Sequence, residues 1–246
     1  MEEERKAAEK KRVEEEAKAK ERVFAVDGVE FKMIRVEGGS MGTFYIGETQ
    51  VTQALWQAVM GNNPSYFNFE GQENPVECVS WNNICGKDGK GTDPSCFLYK
   101  LNQKTGKNFR LPTDAEWEYA ARGGNKSKNY TYAGSDDIDK VAWYWNNSGN
   151  NYLKEGGDDW NWRKIDENNC KTHPVKQLSP NELGIYDMSG NVREWCEDLY
   201  GLSSSHHVFR GGCWARNAED CRVSSRKGEY ANAMCVDIGF RLVLPQ

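Results

Sequence analysis

No stretch of this chain approaches the roughly 18 consecutive apolar residues a membrane-spanning helix needs, so a helical span is excluded. The opening residues carry no apolar leader core either. Histidine is scarce at three residues, and none of the eight cysteines forms a Cys-x-x-Cys pair, which removes the usual zinc spacings. Basic charge is not in surplus: 32 Lys and Arg face 37 Asp and Glu, a formal net charge of −5. Long-range attraction to nucleic acid phosphate is thereby excluded. No internal repeat of the roughly 20–50-residue solenoid type occurs.

What the chain does have is aromatic side chains and glycine, with 9 Trp, 11 Tyr, 9 Phe and 24 Gly in 246 residues. That is enough apolar surface for a sizeable core and argues against global disorder. Met1 to Arg22 is different: it holds only Glu, Lys, Arg, Ala, Val13 and the initial Met. With one aliphatic position it has no heptad seam, so residues 1–22 read as a charged helical or disordered spacer ahead of a domain at 23–246.

From Val23 the pattern turns to short strands, glycine turns and capped helices. Phe31–Val36 reads as a strand ended by Glu37-Gly38-Gly39. Thr52 reads as the N-cap of a helix from Gln53 to Met60, stopped by Gly61, and Ser80 as the cap of a second helix. Cys85 and Cys96 bracket a polar loop; they are either a bridge at its base, stabilising by roughly 2–3 kcal/mol, or two unrelated thiols. The strongest local signal is Thr113-Asp114-Ala115-Glu116, a capping box that accounts for Glu116 without a catalytic role, with Gly123 as the stop. Val141–Lys171 should be irregular loops pinned by Trp143, Trp145, Trp160 and Trp162, their indole N–H groups partnered. His206 and His207 read as solvated loop residues.

A run of motifs then points one way: Val36-Glu37-Gly38-Gly39; Glu48-Thr49-Gln50-Val51-Thr52; Asn74-Pro75-Val76; Phe109-Arg110-Leu111-Pro112-Thr113-Asp114-Ala115-Glu116-Trp117; Asn181-Glu182-Leu183-Gly184-Ile185-Tyr186-Asp187-Met188-Ser189-Gly190-Asn191-Val192-Arg193-Glu194-Trp195; Phe209-Arg210-Gly211-Gly212; and Gly239-Phe240-Arg241. In order and content the chain resembles the formylglycine-generating-enzyme, or sulfatase-modifying-factor, family over about residues 29–244. The resemblance implies an α+β, C-type-lectin-like fold of that subclass with little regular secondary structure. It also implies that an oxidase would hold copper between two cysteines. One such position is Cys221, but the other is Arg216, and a single thiolate beside a guanidinium does not suit Cu(I). Three histidines cannot supply the cluster that the related iron-dependent sulfoxide synthases need. No cofactor is expected on this pattern, with calcium as the open alternative: the resemblance implies such a site at Asn191 and Glu194, which match its Gly-Asn-x-x-Glu-Trp position.

Residues 213–237 mix regular scaffold positions with residue types foreign to the family's polar loop. This mosaic is similar to the variable region of retroelement-diversified proteins on the same scaffold. It implies a ligand-binding face made of Ala215, Arg216, Ser225, Gly228, Tyr230, Ala233, Cys235, Val236 and Asp237. Tyr230 would be the anchor, with Arg216 and Asp237 as charges at the rim. Lys227 and Met234 cannot arise from randomised Asn codons and read as fixed. The implied function is non-catalytic binding of a protein or glycan at the cell surface, with a lipid anchor upstream of the given sequence. The alternatives are a fixed accessory family member, in the cytoplasm or periplasm, or a copper-dependent formylglycine-generating oxidase.

Overall fold

The computed structural model describes residues 21–154, 162–202 and 205–246. Strand β1 (Glu21–Val26) turns back at Asp27-Gly28, both with positive φ, into β2 (Val29–Glu37), which pairs with β3 (Thr43–Gly47). Glu21 and Arg22 therefore belong to the sheet; the rest of the expected spacer lies outside the described residues. The second half supplies β4 (Arg193–Leu199), β5 (His206–Arg210), β6 (Arg226–Tyr230), β7 (Ile238–Phe240) and β8 (Val243–Pro245). Two four-stranded sheets result, in the orders β1-β2-β3-β8 and β6-β5-β4-β7. All neighbours are antiparallel except β4 and β7, which run parallel.

Helices α1 (Gln53–Met60), α2 (Trp81–Cys85), α3 (Phe97–Thr105), α4 (Asp114–Ala121) and α5 (Trp162–Glu167) complete the α+β fold expected from the sequence. Their ends follow the capping rules. Thr52 Oγ1 accepts from Leu55 N, and Gly61 closes α1 in the left-handed region. Thr113 and Glu116 form the reciprocal capping box of α4. Glu116 goes further than a cap: both its oxygens also accept from Arg110, at 2.7 Å each. None of these helices is long and apolar enough to cross a membrane.

Period-2 alternation divides the core. Met33 and Tyr45 face one cluster with Trp56, Phe97, Leu101 and Phe240; Ile34, Val36, Phe44 and Ile46 face another with Trp117, Ala120 and Val208. The second sheet repeats this, Trp195 and Phe209 entering the first cluster, Cys196 and Val208 the second. Trp56 stacks on Phe97 with centroids 5.0 Å apart, and Phe240 meets both edge-on.

Between the sheets sits a fully buried ion pair, Glu194 with Arg241 (1% and 0% exposed). Glu194 Oε1 accepts from Arg241 Nη2 (2.8 Å) and Gln50 Nε2 (3.0 Å), and Oε2 from Arg241 Nε (2.9 Å) and Trp117 Nε1 (2.6 Å). Two further guanidinium hydrogens reach Gly47 O and Tyr186 O, both at 2.8 Å.

Two stability measurements follow. Glu194→Gln keeps the shape but leaves the Arg241 charge uncompensated in the core, so urea unfolding should register a loss of about 3–5 kcal/mol; a loss below about 1 kcal/mol would contradict the role assigned to the pair. Close by, burial pushes the Asp187 carboxyl up to about 6 from 3.8. Its folded-state value lies above its unfolded one, so native stability declines as pH rises from about 4 through 6 and stays lower above that. Asp187→Asn, which suits the φ of +57° and can still accept from Lys176 N, should gain on the order of 2–3 kcal/mol at pH 7 and nothing below pH 4. An equal effect at both pH values would refute this.

Candidate ligand-binding surface

Segment 213–237 leaves the second sheet at β5 and returns to it at β7, contributing β6 on the way. Its departure is a tight glycine turn, Gly211 at φ +93° and Gly212 at φ +68°. A Cβ on Gly212 would lie 2.5 Å from Cys221 Sγ, so glycine is required for the turn to pack on that cysteine. Cys221 is fully buried, and burial pushes its thiol well above the usual range.

The nine expected ligand contacts do not form one exposed face. Ala215 is fully buried, in a cluster with Phe67, Trp145 and Trp214, and is corrected from surface to core. Asp237 is also corrected: it is buried against Arg193, whose guanidinium lies 4.3 Å from the Phe209 ring centre. A desolvated carboxylate held by a guanidinium is a structural ion pair rather than a rim charge. Cys235 and Val236 are half-buried against the core; Val236 O accepts from Trp214 Nε1 and Cys235 O from Cys78 N. Gly228 lies beneath Tyr200, and a Cβ there would come within 2.3 Å of the ring. It is thus a close-approach position, not a contact to solvent. Ala233 is half-buried, its amide closing a turn onto Tyr230 O.

Tyr230 stands out, 54% exposed and against the His206 ring at 4.0 Å. Met234 is exposed nearby in sequence. Arg216 and Ser225, both half-buried, are brought together at a cleft of about 100 Å³ that they share with Arg193, Arg210, Asp220 and Lys227. Arg193 and Arg210 sit inside the Gly-Asn-Val-Arg-Glu-Trp and Phe-Arg-Gly-Gly motifs, where sequence reading takes them as scaffold. Their contribution was hidden because β4 and β5 only become neighbours once folded.

Other expectations change too. His207 is a strand residue, buried and stacked on Trp81 at 3.7 Å; burial lowers its pKa, and its Nδ1 meets Glu197 O at 3.0 Å. Trp143 stacks on His173 at 3.8 Å, but its buried indole N–H has no hydrogen-bond partner among the described residues. Trp162 is exposed on α5, and Trp160 lies outside the described residues. Cys85 and Cys96 are both buried free thiols. The loop between them is closed by hydrogen bonds instead: Gly91 N to Cys85 O at 2.8 Å, Lys90 N to Asp88 Oδ1 and Ser95 N to Asp93 Oδ1.

Calcium does not fit Asn191 and Glu194. Both Glu194 oxygens are saturated by protein donors, two of them from a cation, and a carboxylate has about four acceptor sites in all. Asn191 Oδ1 accepts from His173 N and its amide donates to His173 O. Both residues hold the loop that enters β4. Among the described residues there is no group of three or more His, Cys, Asp or Glu able to hold a metal ion.

The sulfatase-modifying factor enzyme 1-like domain matches residues 12–245. The chaperone protein LppX of Paenibacillus barcinonensis is 39% identical over 252 residues, covering 86% of this chain and 88% of that protein. The inactive C-alpha-formylglycine-generating enzyme 2 of Bos taurus is 29% identical over 206 residues, covering 78% of this chain and only 56% of that protein. Among solved structures, variable protein 1 of Treponema denticola superposes with a TM-score of 0.72 at 30% identity, over 92% of this chain and 99% of that one.

The Gly228–Tyr200 contact is testable by a double-mutant cycle. Gly228→Ala should cost on the order of 1–3 kcal/mol in the native chain, because the nearest atoms are Tyr200 Cγ and Cβ, which lie at the base of the side chain and cannot swing aside. In a Tyr200→Gly background, which removes both atoms, the same change should cost little. Equal costs in both backgrounds would remove the contact from the account.

Proposed function

Because the chain belongs to the sulfatase-modifying factor enzyme 1-like family, we propose that it is a non-catalytic member that binds a ligand through the surface formed by residues 213–237. The observation that carries this reading is that the two positions corresponding to the copper cysteines hold Arg216 and a deeply buried Cys221. Where the oxidase branch would place two thiolates for copper, this chain has a guanidinium and a thiol that burial keeps protonated. The likeness to an inactive formylglycine-generating enzyme and to a variable protein supports the same direction.

Binding needs no reacting group in this reading. The segment's backbone is anchored at both ends and along its length, at Trp214 N to Asn191 O, Ala231 N to Ser205 O and Cys78 N to Cys235 O, so little conformational freedom is lost when ligand arrives. Tyr230 supplies a rigid amphipathic anchor at one end of β6, and Arg216 and Ser225 supply polar contacts near the other. The ligand is a protein or glycan, and the positions of Arg216, Ser225 and Tyr230 are the ones diversified. We assign the protein to the cell surface as a lipid-anchored molecule. A second reading follows from the 39% identity to a protein named a chaperone: the same surface then serves one fixed client protein and does not vary.

Two measurements test this. Titration with Cu(I) should reveal no tight stoichiometric site; a tight one-to-one complex would restore the oxidase. Sequencing the 3′ end of the gene across a population should find substitutions concentrated at codons 216, 225 and 230, with those of Ala215, Asp237 and Arg193 constant. Uniformly low variation would leave the fixed-client reading in place and end the diversified one.

A further inference from the structure

The cleft shared by Arg216 and Ser225 has a chemistry of its own. Its lining includes the cationic residues Arg193, Arg210, Arg216 and Lys227 against one acidic residue, Asp220, with Phe209 as an apolar flank; the Arg210 side chain itself turns to the opposite face of the sheet, toward Asp114, Glu118 and Trp117. The cations are positioned by partners around the cleft: Asp237 binds Arg193, Asp114 and Glu118 bind Arg210, and Asp220 binds Lys227 at 2.6 Å. One donor is left over. Arg193 is 9% exposed, and among the described residues its buried Nε has no hydrogen-bond acceptor. A buried charged N–H without an acceptor costs free energy that an anion entering the cleft would recover.

We propose that this cleft is a carboxylate-binding site and that a carboxylate is the anchoring group of the ligand, a proposal that rests on the ligand-binding reading above. Volume and charge select this class. About 100 Å³ admits a carboxylate and the carbon or two behind it, but not a sugar ring or an aromatic side chain. Arg193, Arg210 and Lys227 are already partly neutralised by their acidic partners, so a monoanion suits the balance better than a phosphate dianion. Guanidinium edges match the planar two-oxygen group. The Phe209 face and the side-chain-free Gly211-Gly212 turn leave room for the carbon that bears it. Tyr230 on β6 then contacts the ligand outside the cleft.

The test titrates the full chain with acetate at constant ionic strength, following the arginine Nε–H signals by NMR. We expect saturable binding, weakened roughly tenfold by Arg216→Gln, less by Arg216→Lys or Lys227→Gln, and unchanged by Tyr230→Asn. Melting temperatures of the variants are recorded to exclude misfolding. Three results would overturn the proposal: acetate that does not saturate, acetate that binds Arg216→Gln equally well, or inorganic phosphate that binds more tightly at the same pH and ionic strength. Two further probes identify the source. Tighter binding of N-acetyl-glutamate amide than of acetate assigns the carboxylate to a protein side chain; tighter binding of N-acetylneuraminic acid assigns it to a sugar acid. If neither exceeds acetate, the cleft holds an adventitious ion only and the proposal falls. A failure here leaves the codon-variation test untouched. Invariant codons with intact acetate binding would instead remove the diversified surface and keep the cleft.

Discussion

The Glu194–Arg241 pair lies where four parts of the chain converge: the end of β3 through Gly47 and Gln50, helix α4 through Trp117, the 186 turn through Tyr186, and the start of the second sheet. Removing two charges from water is expensive, and their attraction compensates only when every remaining lone pair and N–H is satisfied. Here both carboxylate oxygens accept two bonds each and four of the five guanidinium N–H groups donate, which holds the pair to a narrow geometry. Arg241 is also the residue between β7, in the second sheet, and Leu242 and β8, in the first. Fixing its side chain on Glu194 therefore fixes the parallel register of β4 with β7, Glu194 opposite Gly239, and the antiparallel register of β8 on β3. The two sheets share one chain segment and one ion pair.

That constraint explains why a segment as irregular as 213–237 can be carried without loss of order. It starts next to a glycine turn packed on Cys221 and ends in Asp237, itself locked to Arg193, one residue before β7. Exposed residues between these anchors can differ in side chain provided that the backbone contacts at Ala231 and Cys235 persist. Burial thus separates positions free to change, such as Tyr230, from those that are not, such as Ala215 and Asp237. The cationic cleft lies on the boundary: Arg193 and Arg210 come from the strands, Arg216 and Lys227 from the segment.

Much of the framework was legible in the sequence, because it is written in local chemistry. Thr52, Ser80 and Thr113 cap helices, and Gly61 and Gly123 end them, within a few residues of the positions that define them. The Phe31–Val36 strand was legible for the same reason, through alternation. What was not legible depends on distant partners. Asp237 looks like a rim charge until β4 places Arg193, 44 residues away in sequence, beside it. Glu194 looks like a cation ligand until Arg241 arrives from 47 residues downstream. His207 sits in a polar stretch, and only the fold brings Trp81 over its ring. Gly228 reads as an arbitrary loop residue, whereas its lack of a Cβ is what allows Tyr200 to lie across β6.

Strand β6 is the outer strand of its sheet, carrying Arg226, Lys227 and Glu229, with Tyr200 against Gly228 and the Arg226 guanidinium 5.2 Å from the Tyr200 ring centre. An open sheet edge normally invites another chain to add a strand, and charges along it discourage that. In this molecule the safeguard against self-association is built into positions that a changing segment does not need to alter. A substitution at Tyr230 or Arg216, whether it adds or removes an apolar group, leaves these edge charges in place. Protection of the open edge and the chemistry of the exposed side chains beside it are thus carried by different residues.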